Sequence, residues 1–121
     1  MSGKFSRDKG QRVERAIAKV LELFFDTKVS RRLGQERDSG EDLDADLPFV
    51  FEVKARKSRT GVQKFLEQAA VVDRPGKLPV AIIKANNEPP IVVMYLKDFC
   101  EVAIPYVAEH REEHRGSRRV P

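Results

Sequence analysis

A seven-residue run, Phe49-Val50-Phe51-Glu52-Val53-Lys54-Ala55, sets the tightest limit on how this chain can fold. Aromatic and β-branched residues dominate it, which favours a strand. Side chains alternate between the faces of a strand, so Phe49, Phe51 and Val53 point one way and Val50, Glu52 and Lys54 the other. A carboxylate and an ammonium therefore stand side by side in an apolar segment. Charges in such a setting cost free energy unless they are paired or a metal ion needs them. Just upstream lie Glu41, Asp42, Asp44 and Asp46.

At 121 residues the chain is long enough for one compact domain. Charged residues make up 35% and apolar residues 40%, a balance that folds rather than staying disordered. No apolar run approaches the length of a membrane span, and the polar first nine residues lack the apolar centre of a signal peptide. One cysteine, Cys100, gives no intrachain disulfide and fits a reducing cytoplasm, and it reads as a small buried residue. The net charge of +4 conceals a pattern. Residues 1–32 hold nine Lys/Arg against four Asp/Glu, residues 33–52 one Arg against seven acids, and residues 53–64 five bases and no acid. Basic flanks attract phosphate backbones, whereas the acidic island would repel them unless metal ions neutralise it. A salt-bridged surface is the competing reading of the same charges.

Residues 8–25 read as a helix, because Val13, Ala16, Ile17, Val20, Leu21 and Phe24 recur at three- and four-residue steps. Glu14 falls inside or beside the apolar arc of that helix, where an exposed glutamate is the alternative. Residues 27–33 suit a short strand, residues 34–40 a polar loop with a Ser39-Gly40 turn, and residues 41–55 a hairpin ending in the charged strand. A basic loop at 57–61 leads to a second helix marked by Val62, Phe65, Leu66, Ala69 and Val72, with Gln68 at the margin of its apolar face. Residues 80–83 and 91–95 are two further strands, joined by a turn at 86–90. Residues 96–103 form a short helix that Pro105 is expected to end. The order helix, three strands, helix, two strands, helix implies a single α/β domain over residues 1–108, with a mixed central sheet flanked by helices, and a charged tail at 109–121. Ile82, Ile83, Val92, Val93 and Tyr95 are more apolar than one sheet face needs, so some are candidates for a dimer contact unless helices cover both faces.

An Asp followed by Glu-x-Lys on the next strand is the arrangement a magnesium-dependent phosphodiesterase requires; Glu52 and Lys54 taken alone read as a structural ion pair. Together with Gly10-Gln11-Arg12-Val13-Glu14-Arg15, Arg31 or Arg32, Ser39-Gly40, Asp42 and Glu67-Gln68-Ala69, the chain resembles the PD-(D/E)xK nuclease superfamily, and within it the archaeal-type Holliday junction resolvases. The resemblance runs from about residue 10 to about residue 99 and implies a restriction-endonuclease-like fold. No Pro precedes Asp42, a departure from the family's pattern, and Asp44 competes for the same role. Gly40-Glu41-Asp42 resembles the corresponding stretch of phage-encoded relatives, which would put the protein in a host cytoplasm.

The resemblance implies Glu14, Asp42, Glu52, Lys54 and Gln68 as catalytic residues, with Glu14, Asp42 and Glu52 as metal ligands. Magnesium is the expected ion, with manganese able to substitute. Magnesium takes oxygen ligands, and a bound ion supplies both an activated water and charge neutralisation for phosphodiester hydrolysis. Lys54 would orient the water or stabilise developing charge, and Gln68 would help place one or the other. Arg15, Arg31, Arg32, Ser39, Arg56, Lys57 and Arg59 are the candidate DNA contacts, with Lys4, Arg7 and Lys9 as a basic arm. The expected partners are a four-way DNA junction and a second copy of the chain, since a two-fold substrate needs two matched sites; no membrane is involved. Mismatched, flapped or plain duplex DNA, and a catalytically silent DNA-binding module, are the alternatives. The segment His110-Arg111-Glu112-Glu113-His114 matches a zinc-peptidase motif, but no third ligand follows it.

Overall fold

A computed structural model describes residues 2–31, 42–72 and 74–111, with side chains described from residue 7 onward. Its elements follow the order expected: α1 (Ser2–Phe25), β1 (Val29–Arg31), β2 (Leu43–Ala45), β3 (Phe49–Arg56), α2 (Val62–Ala70), β4 (Leu78–Ala85), β5 (Ile91–Val93) and α3 (Leu96–Glu109). The strands form one sheet in chain order, β1-β2-β3-β4-β5. β1, β2 and β3 run antiparallel, β3 and β4 run parallel with α2 as the crossover, and β5 returns antiparallel. The two eight-residue strands, β3 and β4, lie inside, and both edges are three-residue strands.

Two apolar layers sandwich the sheet. Ile17 and Ala18 of α1 pack with Val29, Leu43, Phe51, Val53, Val80 and Ile82 on one face. On the other, Phe65 and Leu66 of α2 pack with Ala81 and Ile83. This is the alternation anticipated for residues 49–55, with Phe51 and Val53 toward α1. Neighbouring Ile82 and Ile83 are used by opposite layers, Ile82 on the face of α1 and Ile83 on the face of α2. Gly61 makes the turn into α2 at φ 79°, a left-handed conformation that a side chain would strain.

Three expectations change. α1 begins at Ser2 rather than residue 8; its first turns are polar and show no apolar period, so periodicity could not find them. α3 runs through Pro105 to Glu109. Proline removes one backbone donor and crowds the preceding turn, but helical bonds resume beyond it, as His110 N donating to Tyr106 O at 3.0 Å shows. Cys100 is exposed, not buried, because α3 carries no buried residue. The loop at 34–40 and the tail from 112 lie outside the described residues.

Candidate active site

The β2–β3 hairpin brings the acidic island to the charged strand. Asp42 sits immediately before β2, and its backbone N donates to Phe51 O at 3.0 Å. Its side chain turns to the same strand, where Oδ2 accepts from Val53 N at 2.7 Å. The carboxyl is thereby fixed beside the residue that separates Glu52 from Lys54. Asp44, the competing acid, is exposed and pairs in register with Ser30 on β1.

On β3, Lys54 Nζ lies 3.0 Å from Glu52 Oε1. The ammonium also lies 5.6 Å from the centroid of the Phe65 ring on α2, and the Arg56 guanidinium 4.8 Å from it. An aromatic face attracts cations, so Phe65 holds two basic side chains of β3 while its own ring stays in the core. Glu14 comes from α1, where its position on the apolar arc carries it inward; its Oε1 meets Arg31 Nε of β1 at 3.1 Å.

Between α1 and the end of β3 lies a groove of about 490 Å3. Arg7, Lys9, Gly10 and Glu14 line one side, and Lys54, Arg56 and Lys57 the other. Five cations face one carboxylate, the balance a phosphate backbone needs. At Gly10 an added Cβ would meet nothing within 4 Å, so the helix backbone stands open to the groove. Lys9 Nζ donates to Asn86 Oδ1 at 2.6 Å, tying α1 to the turn after β4.

Glu14, Asp42 and Glu52 are the buried charged or polar residues among those described, at 4%, 5% and 6% exposure. All three supply hard oxygen donors, which suit magnesium or a similar divalent ion. Among the described residues no three potential ligands gather closely enough to hold an ion in common. The donor set that fits is the hairpin pair, Asp42 and Glu52, since magnesium commonly takes one or two carboxylates and completes its shell with water and substrate phosphate.

The other candidates divide. Lys57 and Arg56 line the groove, and Arg15 is exposed on α1. Arg31 is turned inward onto Glu14 instead of outward to solvent. Arg59 binds the turn before β5, with its Nε 3.4 Å from Glu88 Oε1 and Nη2 donating to Pro89 O at 3.1 Å. Gln68 is exposed on α2 and is not part of the groove lining. Arg32 and Ser39 lie outside the described residues. His110 caps α3 and stacks on Tyr106 at 4.1 Å, a local role unrelated to metal. The sequence reading missed Arg31 as partner of Glu14 and Phe65 as the seat of Lys54. The first had a signal: Arg31 alternates with Val29 and so shares its inward face.

Residues 5–111 match the model of the family described as "Phage putative PDDEXK endonuclease". Comparison with curated proteins and with solved structures finds no match.

Proposed function

The chain belongs to the phage PD-(D/E)xK endonuclease family, and we propose that it resolves four-way DNA junctions as a magnesium-dependent, homodimeric endonuclease. Nuclease chemistry of the PD-(D/E)xK type, on DNA and with a divalent metal ion, comes with the family; the junction, the choice of magnesium and the dimer are the reading added here. No helix among the described residues is long and apolar enough to cross a membrane.

Burial supports the site assignment most. Among the described residues, the three acids expected to hold metal are the buried charged groups. Arg31 and Lys54 already pair with Glu14 and Glu52, and the Val53 amide holds Asp42; carboxylates enclosed and fixed in this way are oxygen donors of the kind a divalent ion takes. Asp42 and Glu52 would hold the ion, with Glu14 reaching it directly or through water. A bound ion supplies charge neutralisation and a water acidic enough to attack at neutral pH. Lys54, seated on Phe65 and beside Glu52, stays in place to orient that water or stabilise charge on the phosphate. Attack at phosphorus breaks the bond to the 3′ oxygen and leaves a 5′-phosphate and a 3′-hydroxyl. Arg7, Lys9, Arg56 and Lys57 would grip the backbone on either side of the break. Asp42 is preferred over Asp44 because its carboxyl is enclosed and fixed to β3.

The test is cleavage of a four-way junction beside a matched linear duplex, with and without magnesium. Magnesium-dependent paired cuts at the junction are expected. Equal cleavage of both substrates would remove the junction assignment and leave a general nuclease. Binding of both with cleavage of neither, in magnesium or manganese, would favour the silent module.

A further inference from the structure

The face of the sheet that carries α1 is only partly covered. α1 packs over β1, β2 and β3, and beside it an entirely apolar groove of about 210 Å3 stays open. Phe51, Val80 and Ile82 form its floor, Leu21 and Phe25 of α1 one wall, and Val92 and Met94 the far rim. A sheet face of this kind is normally closed by a second helix lying beside the first.

The same chain has a helix without a core. α3 buries none of its residues, although Leu96, Phe99, Ala103 and Val107 form a stripe along one side, flanked by Val102, Ile104 and Tyr106. Lys97, Asp98, Glu101 and Glu109 occupy the opposite side. A 14-residue helix is marginal in water without packing, and the interior Pro105 weakens it further. The two-residue link Met94-Tyr95 joins β5 to α3, and α3 packs closely on none of the other elements.

We infer that two copies of this chain associate by exchange of α3, each helix laying its apolar stripe into the partner's open groove beside α1. The area suffices. Twelve large apolar side chains stand exposed on the C-terminal half of α1, on β5 and its exit, and on α3, among them Leu23 at 79% and Leu96 at 75%. An average of about 65 Å2 apiece would reach the roughly 800 Å2 per partner of a standard interface. The exchange is reciprocal, so it closes with two-fold symmetry and leaves neither groove nor helix open. It rests on apolar surface alone and not on the nuclease reading, though it provides the dimer that reading calls for.

The experiment is the mass in solution of the full chain and of two single variants, Phe99→Asp on α3 and Val92→Lys at the groove rim. Both side chains are exposed in the single chain, so each variant should keep its helix and strand signal by circular dichroism. The unaltered chain should sediment at twice 13.8 kDa at about 10 µM. Each variant should associate at least about 30-fold more weakly, the loss expected of a central apolar anchor. A monomeric unaltered chain, or either variant as dimeric as the parent, overturns the inference. So does a monomer whose α3 amides resist hydrogen exchange, because α3 would then close its own groove. A monomer that still cleaves DNA would sink the exchange and leave the nuclease standing.

Discussion

The two ends of this small sheet break the usual rule of protein interiors in opposite directions. Around the β2–β3 hairpin, charge is enclosed: Glu14, Asp42 and Glu52 are nearly hidden from water. Around the end of α1, β5 and α3, apolar side chains are left in water: Phe24 is 77% exposed and Val92 60%. Within one chain the acids lean on Arg31, Lys54 and the Val53 amide, while the apolar side chains have no cover. Each end offers a further partner a match, a divalent ion and a phosphate backbone at the first and apolar surface at the second. The lesson is that the sign of a violation indicates the chemistry of the partner.

If the comparison holds, changes at one end should leave the other untouched. The largest effect is expected from Glu52→Gln and Asp42→Asn, which should lower the cleavage rate by roughly 1000-fold or more while preserving both DNA binding and mass in solution. Near-normal cleavage by Glu52→Gln would break the charged half of the comparison. If Asp44→Asn alone were inactive, the ligand would move two residues along the chain.

Lys54→Ala should come next, lowering turnover by about 100-fold. Melting temperature separates its two possible roles. A merely structural ion pair would show in the melting curve, with normal activity in the folded fraction.

The smallest effects belong to the groove. DNA affinity should fall with salt with a log–log slope of about −0.9 per duplex phosphate contact, and Arg56→Ala or Lys57→Ala should each make that slope shallower by about one unit. Arg31→Ala sharpens the contrast: its guanidinium is spent on Glu14, so the melting temperature should fall and the slope should hold. A slope change at Arg31 matching that at Lys57 would return it to the DNA surface.

Where the sequence carries a period, its reading survives. The alternation in residues 49–55 already separates the core face from the charged face, and the place of Glu14 on the apolar arc anticipates its burial. Fold class follows from the sequence of elements. What stayed hidden lacked a period or joined distant positions. The polar first turns of α1 have no apolar signal, and the continuation of α3 past Pro105 depends on bonds resuming on the far side. Arg31 with Glu14, and Phe65 with Lys54 and Arg56, join residues far apart in the chain that only the folded sheet makes neighbours. Alternation with Val29 put Arg31 on the inward face of its strand, but nothing in the chain named Glu14, seventeen residues away, as what it would meet.

The strand lengths have a further consequence. A sheet edge is a row of unsatisfied backbone donors and acceptors, and a long one recruits further strands without limit. Among the described residues both long strands are interior, and the two edge strands are three residues each, Val29–Arg31 and Ile91–Val93. A chain that leaves this much apolar surface in water is exposed to fibrous growth. Short edges give that growth almost no template, so association is steered toward faces, where it can stop at two.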